Sequence, residues 1–247
     1  RERLAFEELF LFHLGLQRGQ RQRAGIAHAP DGELASRFLA RLPFELTDDQ
    51  KAALLQVKED MESPRPMRRL IQGEVGSGKT IVAEYGAVKA AASGGQVAMM
   101  VPTEVLAQQM AERFKASLGP LGIRVELLSG NMKTKEQDGV RRALAAGEVD
   151  VVVGTHALIT DKVEYRNLTL AIVDEQHRFG VRQRAALLGK GNPDLLVMSA
   201  TPIPRSLALT IYGDLDITEI RQLPVHRQPV DTRLIHPNRR ADVYRYV

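Results

Sequence analysis

The residues with the clearest chemical meaning form a glycine-rich stretch, GEVGSGKT, which fits the pattern G-x-x-x-x-G-K-[ST]. In this pattern, backbone N–H groups close around phosphate oxygens, and the start of the following helix adds a partial positive charge. Lys79 would reach the β- and γ-phosphates, and Thr80 would place its hydroxyl on Mg²⁺. The sequence therefore predicts a site for a nucleoside triphosphate, formed by Gly73, Gly76, Ser77, Gly78, Lys79 and Thr80.

A pair of acids further along the chain is the second candidate for this chemistry. Asp174 and Glu175 follow the apolar run 170–173, and open parallel sheets bind ligands at the carboxyl ends of their strands. Asp174 would hold Mg²⁺, directly or through water, and Glu175 would act as the general base toward an attacking water. An acid pair after a strand is often a plain solvated turn, but downstream of a phosphate loop it indicates hydrolysis.

The elements that must position these residues alternate along the chain. Uninterrupted apolar runs alternate with amphipathic stretches, which is typical of a parallel sheet covered on both faces. We therefore predict an α/β fold with a doubly wound parallel sheet, as in a P-loop nucleotide-binding lobe. The predicted strands are residues 70–72, 96–101, 125–129, 149–153, 170–173 and 195–198, and the predicted helices are residues 46–61, 79–92, 104–118 and 135–146.

The chain divides into three predicted segments. Residues 1–42 hold two helical patterns joined by a basic stretch, and we interpret them as a helical linker from a preceding domain. Residues 43–227 form the nucleotide-binding lobe. A proline-marked stretch then leads to an apolar run at 230–235, so we expect residues 228–247 to open a second lobe. Because the chain begins with Arg and ends on an apparent helix start, we expect it to be a piece of a longer protein.

Composition narrows the possible classes without choosing one. The 247 residues contain no cysteine, which excludes thiol chemistry and cysteine-based zinc sites. No apolar run approaches the roughly 20 residues that span a bilayer, and no signal peptide opens the chain. The net charge of +4 is compatible with a polyanionic partner without demanding one.

Four motifs resemble those of superfamily 2 helicases. Residues 174–177 read DEQH, like the DExH box, and residues 102–107 and 154–158 resemble motifs that contact a DNA strand. Residues 199–201 read SAT and resemble the motif that couples the nucleotide site to the nucleic-acid track. The resemblance implies two RecA-like lobes that use ATP and Mg²⁺.

The resemblance also assigns individual roles. Thr103, Gly154 and Thr155 would hold the DNA backbone, since small hydroxyls and N–H groups suit phosphate and read no sequence. Ser199 and Thr201 would provide the coupling. His177 would hydrogen-bond toward that coupling motif and sense the γ-phosphate; alternatively, it is a packed histidine at a strand end.

Phe44, Thr47 and Gln50 resemble the Q motif, which recognises adenine. The amide of Gln50 could pair with adenine N6 and N7. Thr47 and Gln50 also have the spacing of a capping box, in which Thr47 is the N-cap of a helix and Gln50 its third residue. The two roles are compatible, and the sequence leaves both open.

A narrower likeness covers essentially the whole chain. DEQHRFG at 174–180 and TPIPR at 201–205 resemble the RecG family of bacterial DNA helicases, as does the opening helix. The likeness implies a cytoplasmic, monomeric motor without a membrane partner, which remodels branched DNA at stalled replication forks and Holliday junctions in repair and recombination. The related transcription-repair coupling translocase is an alternative, but it typically has DEEH where Gln176 stands here.

Other classes fit less well. A P-loop GTPase would need a guanine-reading N/TKxD sequence, which does not occur. A kinase does not explain Gln50, the acid pair and the SAT motif together. Because the arginine finger would lie on a second lobe, we expect this chain alone to bind ATP weakly and to be nearly inactive. As an isolated piece it would then be a nucleotide-gated DNA-binding module.

Overall fold

The computed structural model describes residues 25–174, 186–200 and 215–224, together with Tyr244. Within these residues the α-helices are α1 (Glu33–Ala40), α2 (Asp48–Glu62), α3 (Lys79–Ala92), α4 (Glu104–Leu118) and α5 (Thr134–Ala146). The strands are β1 (Arg68–Gly73), β2 (Gln96–Met100), β3 (Val125–Leu128), β4 (Val151–Gly154), β5 (Leu168–Asp174), β6 (Asp194–Ser199) and β7 (Asp216–Ile220). Short 3₁₀ helices lie at Gly119–Leu121 and His156–Ile159.

The described strands form one sheet in the order β3-β4-β2-β5-β6-β1-β7. Every pair of neighbouring strands is parallel. The doubly wound parallel α/β fold predicted from the sequence is therefore confirmed. Helices α3 and α4 begin and end at the predicted residues.

The sequence prediction missed β7, the edge strand beside β1. Its sequence, DITEI, alternates polar and apolar residues; Asp216 and Glu219 are exposed, whereas Thr218 and Ile220 are buried. Because the strand lies at the edge of the sheet and part of it is exposed, it lacks the continuous apolar run by which the central strands were predicted.

Two apolar cores cover the two faces of the sheet. Along β2, Val97 and Met99 pack with α1, α2, α3 and α4 on one face. Ala98 and Met100 point to the other face, where α5 and the 3₁₀ helix at residues 156–159 cover the sheet. Because the strands are all parallel, the loops that follow them lie at one edge of the sheet, which we call the carboxyl edge. The opposite edge, where the strands begin, is the amino edge.

Residues 25–42 pack closely on this lobe. Ala35 and Phe38 of α1 are buried in the first core. The backbone N–H of His28 donates to the carbonyl of Met61 (2.8 Å), and the N–H of Gly25 donates to that of Pro64 (2.9 Å). The domain boundary predicted after residue 42 stays a prediction, but these residues share the core of the lobe that follows.

Two polar contacts hold the same segment at the amino edge. His28 Nε2 lies 3.2 Å from Asp194 Oδ2, and both side chains are almost completely buried. Lys89 Nζ, near the end of α3, donates to Asp31 (3.0 Å), Glu62 (2.7 Å) and the carbonyl of Ala29 (3.0 Å). We call these contacts the amino-edge clasp.

The helix predicted over residues 1–17 and the strand predicted over residues 230–235 lie outside the described residues. Among the helices that the structure describes, none has the length and apolar character needed to cross a membrane.

Candidate nucleotide site and DNA-facing edge

The strand order decides which predicted site residues are neighbours. From one end of the carboxyl edge to the other, the strands β3, β4, β2, β5, β6, β1 and β7 end at Leu128, Gly154, Met100, Asp174, Ser199, Gly73 and Ile220. The predicted nucleotide residues therefore follow β1 and β5, with the coupling residue Ser199 on β6 between them. The predicted DNA-binding residues follow β2 and β4, on the other side of β5.

The shape of the glycine loop requires its glycines. Gly76 and Gly78 have φ angles of 85° and 89°, in the left-handed region that favours glycine. A Cβ at Gly78 would also collide with Nε2 of Gln50, and one at Gly73 would lie 2.7 Å from the carbonyl oxygen of Ile220. The loop is thus enclosed between α2 on one side and the end of β7 on the other.

Lys79 is the first residue of α3 and lies across the loop. Its Nζ donates to the carbonyl of Gly73 at 2.7 Å and to that of Glu74 at 2.9 Å. The ammonium group is therefore held at the mouth of the loop, beside the first turn of a 14-residue helix. The N–H groups of that turn have no partners within the helix and favour an anion.

Ser77 supports the fit to a bound phosphate chain. Its side chain is fully buried, and its Oγ has no hydrogen-bond partner among the described residues. Its backbone N–H donates to the carbonyl of Glu74 (3.1 Å), and this bond closes the turn of the loop. Thr80 follows Lys79 in the first turn of α3, partly exposed. Enclosed glycines, a cation and an unpartnered buried hydroxyl at a helix start suit a polyphosphate.

Gln50 is buried beneath the loop, with 1% of its surface exposed. Its Oε1 accepts from the N–H of Thr47 (3.0 Å), and the Thr47 hydroxyl accepts from the N–H of Gln50 (3.2 Å). This capping box confirms the structural role expected from the spacing. Nε2 of Gln50 donates to the carbonyl of Ser77 (2.8 Å).

The contact of Gln50 with adenine stays a prediction. A carboxamide has two N–H groups and two lone pairs on oxygen, so one of each is left after the bonds to Thr47 and Ser77. Phe44, the aromatic residue of the same predicted motif, is 38% exposed. The structure thus adds a bond from the motif to the phosphate loop that the sequence did not reveal.

Asp174 and Ser199 end neighbouring strands. Asp174 pairs with Met198 across β5 and β6, and Ser199 pairs with Gln72 across β6 and β1. The Asp174 carboxylate is partly exposed at the carboxyl edge, whereas Ser199 is buried. The predicted residues Glu175, His177 and Thr201 lie outside the described residues.

No set of three or more His, Asp or Glu side chains within the described ranges could hold a metal ion. A magnesium site in a P-loop protein does not need one, because phosphate oxygens and water supply most of its ligands. One hydroxyl and one carboxylate are enough from the protein, and Thr80 and Asp174 are the candidates.

Sequence reasoning missed Asp49, the residue before Gln50. Its Oδ2 accepts from the backbone N–H groups of Arg221 and Gln222, both at 2.8 Å. This contact joins the start of α2 to the segment that follows β7. Nothing in the sequence signals it, because the partners lie more than 170 residues away and are backbone groups.

The predicted DNA-binding residues have contacts within the protein. The Thr103 hydroxyl accepts from the N–H of Leu106 and caps α4 (3.3 Å). The Thr155 hydroxyl donates to Glu104 (2.9 Å) and is buried. A Cβ at Gly154 would collide with the carbonyl oxygen of Leu128. These roles explain the residue types, and the DNA contacts themselves stay a prediction.

Comparison with known proteins agrees with the fold and the motifs. The family model for DEAD/DEAH box helicases matches residues 47–210. The chain is 48% identical to the ATP-dependent DNA helicase RecG of Thermotoga maritima over 251 residues, which is 100% of this chain and 32% of that protein. It is 47% identical to RecG of Aquifex aeolicus over 253 residues, again 100% of this chain and 32% of the relative.

A solved structure, RecG bound to a three-way DNA junction, superposes with a TM-score of 0.83 at 43% identity, covering 100% of this chain and 34% of that one. The resemblance to RecG predicted from the sequence motifs is confirmed. The chain spans about a third of the length of these relatives.

Proposed function

The chain belongs to the DEAD/DEAH box helicase family, and we propose that it forms the ATP-binding lobe of an ATP-dependent DNA helicase that remodels stalled replication forks and Holliday junctions. The observation that carries the proposal is the glycine loop with Lys79 across its mouth, one strand away from Ser199 and two from Asp174. Membership of the family implies the use of a nucleotide, and the proposal specifies ATP with Mg²⁺.

In this proposal each residue of the site has a defined task. Lys79 exchanges its bonds to the loop carbonyls for bonds to phosphate oxygens, and the N–H groups at the start of α3 hold the same anion. Thr80 and Asp174 hold Mg²⁺, which when bound neutralises phosphate charge. Glu175 accepts a proton from the attacking water. Coupling between the nucleotide site and the DNA track is the task of Ser199 and Thr201, and His177 senses the γ-phosphate.

The proposed partner is branched DNA, held along the backbone at the loops that carry Thr103, Gly154 and Thr155. Three observations support it: these loops lie together at the carboxyl edge, the chain has a net charge of +4, and the solved relative is bound to a three-way DNA junction. Backbone contacts read no sequence, so binding should fall steeply with salt and be insensitive to sequence. Because its relatives are bacterial DNA helicases, we propose that the protein acts in the bacterial cytoplasm. We also propose that it acts as a monomer.

The proposal includes three segments: a helical linker at 1–42, the first RecA-like lobe at 43–227, and the start of a second lobe at 228–247. The second lobe would supply the arginine finger, whose loss lowers phosphoryl-transfer rates by roughly 10³ to 10⁵ in other systems. The 247-residue chain by itself should therefore bind ATP weakly and turn it over very slowly. Such a piece behaves as a nucleotide-gated DNA-binding module.

The test measures nucleotide binding and turnover separately. A fluorescent ATP analogue should bind the chain in the presence of Mg²⁺, and phosphate release should stay very slow even with forked DNA. In a protein that joins this chain to a second RecA-like lobe, forked DNA should stimulate turnover more than linear duplex of equal length. Equal stimulation by both DNAs would favour a duplex translocase of the transcription-repair coupling type, and full turnover by the chain alone would contradict the two-lobe site.

A further inference from the structure

One carboxylate at the carboxyl edge collects hydrogen bonds from two other loops. Glu104 Oε1 accepts from the Thr155 hydroxyl (2.9 Å) and from the N–H of Gly130 (3.3 Å). Its Oε2 accepts from the Ser129 hydroxyl. Glu104 lies within the stretch 102–107 that resembles a DNA-contacting motif, but the sequence assigned it no role, and no motif includes Ser129 or Gly130.

These three loops follow three adjacent strands. Glu104 comes after β2, Thr155 after β4, and Ser129 with Gly130 after β3, and the sheet order is β3-β4-β2. Glu104 therefore reaches across the end of β4 to the loop after β3. It is also the first residue of α4, where the helix dipole stabilises a negative charge. Its carboxylate is a single fixed point to which all three loops are attached.

The loop after β3 continues this arrangement through Ser129. The Ser129 hydroxyl donates to Glu104 and accepts from the N–H of Asn131 (3.3 Å). The N–H of Met132 donates to the carbonyl of Ser129 (3.3 Å), which closes the turn. Gln137 of α5 also holds this turn, since its Nε2 donates to the carbonyl of Met132 (2.9 Å), and Glu104 ties the turn to the loops after β2 and β4.

The bonds to Glu104 change what the hydroxyls can offer to DNA. A hydroxyl has one proton, and Thr155 and Ser129 each donate theirs to Glu104. Phosphate oxygens only accept hydrogen bonds, so these hydroxyls have no donor left for a phosphate. Both side chains are also about 95% buried. The donors left to these loops for a phosphate include backbone N–H groups and the Thr103 hydroxyl, which accepts from Leu106, and their positions depend on the loops.

We propose that Glu104 is a positioning residue for the DNA track: it fixes the loops after β2, β3 and β4 so that their backbone donors match the spacing of a phosphate backbone. The role rests on the proposed DNA-motor function. Glu104 acts through Thr155, Ser129 and Gly130 and does not itself touch DNA.

The proposal predicts that removing the charge of Glu104 weakens DNA binding, whereas simple charge repulsion predicts that it tightens DNA binding. A bare carboxylate beside DNA repels phosphate, so its removal would tighten binding. A carboxylate that orders three loops has its charge satisfied by three donors and a helix start, so its removal would weaken binding. The glutamine variant separates the two cases, because it removes the charge, keeps the shape, and places an N–H₂ group against at least one donor.

The experiment uses the 247-residue chain and a fluorescein-labelled forked DNA, with binding followed by anisotropy at low salt. We expect Glu104→Gln to weaken DNA binding about tenfold, in line with the loss of one or two charge-assisted hydrogen bonds. Affinity for a fluorescent ATP analogue should stay unchanged, since the glycine loop lies on another part of the edge. Glu104→Ala should give at least the same loss.

The matched control is Glu112→Gln on the same helix. Glu112 is exposed, and among the described residues its side chain accepts a hydrogen bond from Gln108 of its own helix alone (3.3 Å). The control removes the same charge from α4 without affecting any loop. It should leave DNA affinity within about twofold, or tighten it slightly through the change in net charge.

A double-mutant cycle tests the route of the effect. If Thr155 acts through Glu104, Thr155→Val should weaken DNA binding alone, and adding it to Glu104→Gln should cause little further loss. Additive losses would mean that Thr155 holds DNA directly, and would overturn the positioning role.

The remaining outcomes are also decisive. Unchanged or tighter DNA binding by Glu104→Gln overturns the inference while the proposed function stands. Equal losses of ATP-analogue and DNA affinity would mark Glu104 as a general structural residue and overturn it too. If the unsubstituted chain fails to bind forked DNA at low salt, the proposed function itself fails, and the inference fails with it.

Discussion

Helix α3 carries one lysine near each end that bonds to other parts of the protein, and the two lysines have different kinds of partner. Lys79, at its start, is partly exposed and donates to the backbone carbonyls of the glycine loop. Lys89, near its end, is 1% exposed and forms ion pairs with Asp31 and Glu62. A cation is disfavoured at a helix start and favoured at a helix end. The helix therefore holds Lys89 in a favourable field and Lys79 in an unfavourable one.

The same contrast extends along the two edges of the sheet. At the amino edge, ionisable side chains contact each other, and those of His28 and Asp194 are almost completely buried. At the carboxyl edge, the ammonium of Lys79 bonds to carbonyls, which water or a ligand can replace at low cost. The amino-edge clasp therefore suits a single fixed arrangement, whereas Lys79 at the glycine loop suits an exchange of partners.

The strongest test of this contrast is the pair Lys79→Met and Lys89→Met. Lys79→Met should weaken binding of an ATP analogue by at least about 100-fold, because two charge-assisted bonds to phosphate are lost. The free energy of unfolding should change by less than about 1 kcal/mol, since the loop carbonyls regain water. Titration and urea denaturation of the same samples measure the two quantities. Unfolding of the Lys79 variant would contradict the assignment.

Lys89→Met should show the reverse pattern. Removal of the ammonium leaves Asp31 and Glu62 without their shared partner. We expect the free energy of unfolding to fall by about 2–3 kcal/mol. This is less than for a fully buried pair, because both acids are partly exposed. Affinity for nucleotide should not change. The matched control is Lys58→Met: Lys58 lies 3.9 Å from the same Asp31 but is 35% exposed, so its loss should cost less than about 1 kcal/mol.

The pH dependence of stability distinguishes two carboxylates of the amino-edge clasp. Burial raises the pKa of Asp194 above its ordinary value, and the contacts with His28, the N–H of Met67 and Arg68 only partly oppose it. An acid whose pKa is raised by folding contributes stability below its unfolded pKa and loses it as the pH rises through the folded pKa. The free energy of unfolding should therefore fall with rising pH above about pH 4 through this group.

Asp194→Asn should remove that decline, since an asparagine keeps the acceptor for Met67 N–H (2.6 Å in the native chain) and does not ionise. Asp31 behaves in the opposite way: burial alone would raise its pKa, but bonds from Lys89 and Tyr85 and the charge of Lys58 outweigh it and lower the pKa. Its contribution is present above about pH 4 and lost on acidification. Urea denaturation between about pH 2 and 8 should give slopes that change in opposite directions, below about pH 4 for Asp31→Asn and above it for Asp194→Asn. Changes of the same sign would contradict the two assignments.

The sequence was sufficient for the features that depend on local pattern. The glycine loop, the capping box at Thr47 and the start of α4 at Glu104 are signalled by residues within a few positions of one another. The parallel sheet follows from apolar runs between helices. Such signals reflect backbone conformation and burial, which neighbouring residues determine directly.

Apart from strand β7, the features that the sequence did not reveal join distant parts of the chain. Asp49 meets Arg221, Glu104 meets Ser129 and Thr155, and His28 meets Asp194 only after the sheet has formed. Thr155 shows the consequence for function, because a hydroxyl predicted to hold DNA donates instead to a carboxylate 51 residues earlier. A residue type indicates which bonds are possible, and only the fold decides which of them form.

Gln50 differs from Lys79, since it is a buried polar group at the carboxyl edge whose amide is hydrogen-bonded to both Thr47 and Ser77. Gln50→Ala should weaken binding of both ATP and GTP, because the carbonyl of Ser77 loses its donor and the loop loses a support. We expect losses of about threefold for GTP and about tenfold for ATP, on the order of one hydrogen bond more for the adenine nucleotide. Competition of each nucleotide against one fluorescent analogue measures both. Equal losses would show that Gln50 supports the phosphate loop without reading the base, and would place it with the fixed contacts of the amino edge.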